Sequence, residues 1–326
     1  MFRYLIKRLL NYLVLLYVAV TMTYLLAATQ LRPRSIFQLR QPPIPAEQIE
    51  ATLLRYNLSD HVPLWDRYLI WLGGVVRGDW GQSPLGAVVA DQIATRMWVS
   101  LRLLLAGSII GIVLGVAFGA WTATRQYKIS DRVVTFVSLL IISTPAFVVG
   151  HVSQMLATMY NDVTNTRTFE FIGETGDVGD YPLADLVDRL QHLFLPTVVL
   201  LILGAASMSR IQRNLMLDSL GADYVRTARA KGLLERKAVM KHALRTALIP
   251  TGTYVAFTIA TMFTGATFTE RIFNFQGIGM YAVDTITFHD VNGVTAVTAF
   301  AGACVLVGAI LSDVIVAILD PRVRLA

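Results

Sequence analysis

The sequence predicts an all-α polytopic membrane protein with six transmembrane helices, and three observations carry that expectation. Of its 326 residues 55% are hydrophobic and only 15% charged, where an ordinary soluble domain carries about 25% charged residues. Mean hydropathy is +0.56, too apolar for a surface held wholly in water. Six apolar segments, divided by polar loops, are each near or above the roughly 20 residues that cross about 30 Å of hydrocarbon. Disordered, collagen-like and coiled-coil classes are excluded by the same composition.

The first segment, Leu9 to Ala28, follows Arg3, Lys7 and Arg8. A secretory signal is the alternative there, but the run is long for a signal core and the remaining chain is itself membrane-bound. Residues 29–100 then form an extracytoplasmic segment. Within it Trp65, Tyr68, Leu69, Trp71 and Leu72 have helical spacing, suited to lying on the membrane or packing on the outer ends of the spans. Arg77-Gly78-Asp79-Trp80-Gly81-Gln82-Ser83-Pro84 reads as a structured turn, and Arg40-Gln41-Pro42-Pro43-Ile44-Pro45 as an extended connector.

The second span, Leu103 to Trp121, carries Gly107, Gly111, Gly115 and Gly119 on one stripe, where a neighbouring helix approaches closely. The third, Val133 to Tyr160, and the fourth and shortest, Leu193 to Met208, contain Pro145 and Pro196, each expected to kink its helix. The fifth is expected from Pro250 to Phe268 and the sixth from Val294 to Leu319. Lysine and arginine set the orientation. The N-terminus, Arg125, Lys128 and Arg132, the loop 210–250, and Arg322 and Arg324 belong inside, which places both termini in the cytoplasm. The loop from Asn161 to Arg189, rich in acids from Asp162 to Asp188, belongs outside. The chain divides accordingly into 1–28, 29–100 and a core of 101–326.

No catalytic residues are expected. Gly-x-x-x-x-Gly-Lys-Ser/Thr, Gly-x-Ser-x-Gly and His-Glu-x-x-His do not occur, so phosphate-cradling, nucleophile-elbow and zinc-protease chemistry have no site. Cys304 is a single cysteine, and the five histidines stand tens of residues apart, so no metal site is expected. The net charge of +6 is concentrated between two spans without a nucleic-acid motif, so no nucleic-acid partner is expected. His151 and Asp313 are ionisable groups at membrane depth, with Glu270 at an outer boundary; such groups face a partner or a wet path. An ion-coupled secondary transporter built on His151 and Asp313 is therefore one functional reading.

The inner loop is different in kind. It reads as a helix from about Ala222 to Lys231, a break at Gly232, and a second helix from Glu235 toward Pro250. Asp223 opens the first helix, and Tyr224, Ala228 and Lys231 recur on one face. Anionic lipid headgroups account for its charge. They do not account for a helix, glycine, helix pattern, which suits a lever.

Gly221-Ala222-Asp223-Tyr224-Val225-Arg226-Thr227-Ala228-Arg229-Ala230-Lys231-Gly232, followed by His242-Ala243-Leu244-Arg245-Thr246-Ala247-Leu248-Ile249-Pro250, resembles the cytoplasmic coupling loop of permease subunits in binding-protein-dependent ABC importers. Arg77 to Gly81, Gly265 to Phe273 with Gly277-Ile278-Gly279, and Asp320 to Arg324 are similar to the peptide-importing branch. The resemblance implies a type I ABC importer permease fold in the cytoplasmic (inner) membrane. It implies a second permease subunit, two ATPase subunits holding ATP and Mg, an extracytoplasmic substrate-binding protein, and an oligopeptide or dipeptide cargo. Asp223, Tyr224, Arg226, Thr227, Ala228, Lys231 and Gly232 then couple to the ATPase. Asp79, Trp80, Glu270, Phe273, Gly277 and Gly279 serve binding-protein docking or an outer gate. Thr246 in place of Asn, Gln276 in place of Pro, and Leu31-Arg32-Pro33-Arg34-Ser35 in place of Pro-Gly-Asp-Pro depart from that branch. Another cargo on the same machinery, such as nickel, haem or a sugar acid, is the alternative they leave open.

Overall fold

The computed structural model describes residues 2–38, 41–176, 183–264 and 266–319, and not the side chains of 2–7, 263 and 316–319. Arg40, Gly265 and the Asp320 to Arg324 tail, used above, lie outside the described residues. The chain is all-α. The helices are α1 (Phe2–Gln30), α2 (Ser35–Gln38), α3 (Ala46–Arg55), α4 (Leu64–Val76), α5 (Val89–Ala123), α6 (Ile129–Ser143), α7 (Ala146–Thr164), α8 (Ala184–Leu220), α9 (Asp223–Ala230), α10 (Glu235–Ala238), α11 (Leu244–Thr261), α12 (Thr267–Ile272), α13 (Ile278–Thr287) and α14 (Val291–Leu319). A π-helical turn, Val239–Ala243, joins α10 to α11. Among the described residues the only β pairing is the isolated bridge between Gln82 and Val88.

Four helices, α1, α5, α8 and α14, are long and apolar enough to cross a membrane; α6 and α7 together make a fifth if they are one broken span. This makes the chain a multi-pass membrane protein and corrects three of the expected segments. The third span is bent by 102° between α6 and α7, far beyond a kink. Pro145 lacks a donor and excludes helical backbone at Thr144, which is extended with ψ 126. The fourth span is one 37-residue helix with Pro196 inside it. The fifth does not begin at Pro250, because α11 starts at Leu244 and runs through that proline. It also ends at Thr261, short of Phe268. The helix expected from Glu235 toward Pro250 is therefore continuous, through the π-turn, with the segment expected to cross.

The residues fall into two compact units, Met1–Ser100 with Phe263–Glu270 and Gln276–Val307, and Leu101–Met262 with Arg271–Phe275 and Gly308–Ala326. In the first, α4 packs its aromatic face on α1. Tyr24 is wholly buried with its ring 4.8 Å from Trp71 and 5.5 Å from Tyr68. Tyr68 shares hydrogen bonds with Thr21 at 2.7 Å and Tyr17 at 3.2 Å. Trp65 and Leu69 of the same helix stay exposed, so the five residues grouped by their spacing are split, with Tyr68 and Trp71 taking the packed side.

In the second unit, the glycine stripe of α5 lies on α8. A Cβ at Gly107 would stand 2.8 Å from the Leu200 side chain and 2.9 Å from the Thr197 carbonyl; at Gly115 it would stand 2.6 Å from Met208, and at Gly119 it would strike the Ser209 carbonyl. Glycine at these places lets two backbones meet, and in lipid such packing stands in for the missing hydrophobic drive. A bidentate ion pair ties α6 to α8: Arg213 donates to both oxygens of buried Asp131 at 2.6 and 2.9 Å. Buried Gln212 accepts from Thr251 of α11.

Candidate functional site

The 210–250 loop folds as its residues dictate. Asp223 sits in the first turn of α9, where a carboxylate favours the positive helix end. The helix stops at Gly232, whose φ of +88° is the left-handed conformation. The Gly232 amide donates to the Arg229 carbonyl at 2.9 Å and the Leu233 amide to the Ala228 carbonyl at 3.2 Å. Those two bonds are a Schellman closure, and Leu233 packs in the same core as Ala228, as that motif requires.

One face of α9 is seated. Val225 and Ala228 are buried with Met216 of α8, Ala243 of the π-turn and Ala247 of α11. The helix packs on α10 and the π-turn, and its buried residues share one apolar cluster with residues of α8 and α11. The other face is open: Asp223 and Arg226 side chains are 97% and 75% exposed, and Tyr224, Thr227, Lys231 and Gly232 are exposed as well. The Asp223–Arg226 pair at 3.7 Å and the Arg229–Glu235 pair at 3.9 Å are solvent-screened and contribute little. Ala228 does not share the open face expected for it with Tyr224 and Lys231. Its role is the seat, because the residue three after Val225 returns to the same side.

The residues expected at docking or an outer gate divide. Asp79 is exposed and Trp80 half-buried. Asp79 accepts the Gly81 amide at 2.9 Å, Gly81 has φ +83°, and Trp80 meets Trp71 edge-on at 6.3 Å, so this stretch is an ordered turn. Glu270, Phe273, Gly277 and Gly279 are interior, and a side chain wholly buried in its own chain offers no docking surface in this conformation.

Glu270 is 0% exposed. Its carboxyl accepts from the Ser100 hydroxyl at 2.7 Å and from the amides of Met280 at 2.8 Å and Ala266 at 3.2 Å, while the Ile278 amide donates to Ser100 at 2.8 Å. The N-terminus of α13 therefore closes on a carboxyl group, with the helix dipole favouring it. Burial pushes the Glu270 carboxyl up, and hydrogen bonds from Ser100 and the backbone hold it partly down. A Cβ at Gly277 would stand 2.5 Å from both the Glu270 carboxyl carbon and the Ser100 oxygen, and one at Gly279 would stand 2.7 Å from the Thr267 amide. Both glycines permit that approach. Phe273, in the other unit, is edge-on to Phe171 at 6.4 Å, and its carbonyl accepts the Gly173 amide at 2.8 Å.

Of the groups expected at membrane depth, His151 is exposed and bonded to Gln154 one turn on, at 3.1 Å, and Asp313 is half-buried. Ser100, Asp131 and Gln212 carry more of the polar interior than sequence reasoning assigned them. A hydroxyl at the end of an amphipathic segment and an acid among basic residues give no local sign of their distant partners.

Residues 111–325 match the family model described as the binding-protein-dependent transport system inner membrane component. The chain is 47% identical to the oligopeptide transport system permease protein OppB of Mycobacterium tuberculosis (strain ATCC 25618 / H37Rv), over all of both chains. It is 33% identical to the dipeptide transport system permease protein DppB of Lactococcus lactis subsp. cremoris, over all of both, and 33% identical to the oligopeptide transport system permease protein AppB of Bacillus subtilis, over 88% of each. With a family model matched over residues 111–325 and two of these relatives aligned over all of both chains, the chain belongs to the family of binding-protein-dependent transport system inner membrane components, as a permease subunit and not an ATPase.

Proposed function

We propose that this subunit moves oligopeptides or dipeptides into the cell as half of a heterodimeric permease, driven by two ATPase subunits and supplied by an extracytoplasmic binding protein. Both termini and the 210–250 loop face the cytoplasm in this reading, and residues 29–100 face outward. The observation that carries it is the division of α9 into a buried seat, Val225 and Ala228, and an open face, Asp223, Tyr224, Arg226, Thr227 and Lys231. The open face enters a groove on an ATPase subunit. When ATP and Mg draw the ATPase pair together, force applied to α9 passes through the seat and the π-turn into α8 and α11. The bundle then tips from inward-open to outward-open. Asp79 and Trp80 belong to the docking surface, and the Glu270, Gly277 and Gly279 cluster to the outer gate, where separating α13 from Glu270 requires breaking several buried hydrogen bonds together. Peptide cargo rests on the likeness to the OppB, DppB and AppB proteins.

Co-reconstitution with the subunits that co-purify tests this. Binding protein loaded with peptide raises ATP hydrolysis and drives ATP-dependent uptake, and the chain alone hydrolyses no ATP. Uptake that follows a proton or sodium gradient without ATP would contradict it.

A further inference from the structure

The loop after α7 and the first turns of α8 bring together three side chains that the transport reading does not use. Glu170, Asp188 and His192 each offer a ligand atom within 4.8 Å of the other two. Asp188 and His192 stand one turn apart on α8, 4% and 3% exposed, and Glu170 is half-buried. The Gly176 amide donates to both Asp188 carboxylate oxygens, at 3.0 and 3.2 Å.

The tautomer of His192 follows from its neighbours. Nδ1 lies 2.9 Å from the Asp188 carbonyl oxygen, which only accepts, so Nδ1 carries the proton. Asp188 Oδ1, 3.3 Å from Nδ1, reinforces that choice. Nε2 then presents a lone pair, and 3.9 Å in front of it stands Glu170 Oε2. Two electron-rich atoms face each other, and among the described residues Nε2 has no hydrogen-bond partner. A second proton on the ring does not bridge them well, because 3.9 Å exceeds hydrogen-bond length. A cation with bonds of about 2.1 Å to each atom subtends about 135° across this gap, and a closure of roughly half an ångström by the Glu170 side chain brings it to the tetrahedral angle. Gly176 keeps it open: a Cβ there would stand 3.2 Å from Nε2 and 3.1 Å from Oε2.

We propose that His192 Nε2 and Glu170 Oε2 bind a divalent cation of the zinc class, with water completing the coordination. Asp188 positions the imidazole from its far side, in the carboxylate, histidine, metal order that fixes ring orientation and raises ligand basicity. Imidazole as a ligand selects zinc and its transition-metal neighbours over calcium and magnesium, which take oxygen. The bound ion ties the loop carrying Glu170 to α8.

The purified full chain, stripped with chelator, equilibrated with Zn²⁺ alone and desalted, is expected to retain about one zinc per chain and to melt at a higher temperature than the stripped form. Glu170→Gln and His192→Gln lose both effects, and Asp188→Asn weakens retention about 10- to 100-fold. Cobalt substitution gives visible absorption in the unaltered chain and not in Glu170→Gln. Because Glu170 is half-buried in a loop, its variant keeps the test readable if His192→Gln does not fold. No retained zinc in the unaltered chain, or equal retention in Glu170→Gln, overturns the proposal. Metal is read on this chain without cargo or partners, so the result does not depend on the transport assignment.

Discussion

Asp290 shows how one side chain joins structure to condition. It precedes α14, is 2% exposed, and accepts the Gly293 amide at 2.9 Å, so it caps the helix. Burial drives its carboxyl up to about 6, against the lowering effect of the Gly293 and Asn292 amides. With the folded value above the unfolded one, the folded chain holds a proton that the unfolded chain releases. Its stabilising contribution is present below the ordinary carboxylate range and is lost as pH rises through about 6. Thermal unfolding of the purified chain is therefore expected to show a melting temperature that falls between about pH 4 and 6 and then levels. Asp290→Asn, which keeps an oxygen acceptor for the cap, makes that slope shallower and leaves the part due to the raised Glu270 carboxyl; a slope unchanged in Asp290→Asn would assign it to other groups.

Among the elements, α9 tests the account most simply because its end is set by one residue. Gly232 has φ +88°, and nothing lies within 4 Å of where a Cβ would stand, so a substitution there meets backbone strain and no clash. Asparagine tolerates left-handed backbone, whereas valine does not, at a cost of about 1–2 kcal/mol. Gly232→Asn is expected to keep uptake per ATP near the unaltered ratio and Gly232→Val to lower it severalfold, with equal membrane insertion. If the two variants match, the closure is not what holds the lever. This element was legible in the sequence, since Asp223 and Gly232 act locally through a helix start and a left-handed stop. The bend at Pro145 was legible in place but not in size, because proline removes a bond and the neighbouring helices set the angle. The run from Leu244 to Thr261 was misread at its start for the opposite reason: Pro250 is accommodated within the helix, so proline there is no boundary. Glu270 read as a boundary charge, and its enclosure depends on Ser100, 170 positions away, which no local pattern reports. The scattered histidines gave no sign of the cluster at His192, because Glu170 reaches Asp188 and His192 only through the fold.

For the whole molecule, two compact units each carry their own polar and apolar interior, and α5, α12 and α14 run from one into the other. The transport reading assigns the work to the lever in the second unit and the carboxyl-centred cluster in the first. A benzophenone placed on cysteine at Thr227, in a chain whose Cys304 is replaced by serine, asks directly what α9 touches during turnover. The account predicts a cross-link to an ATPase subunit whose yield changes between ATP-bound and nucleotide-free states. Adducts to lipid alone, in a complex that is actively hydrolysing ATP and importing peptide, would contradict it.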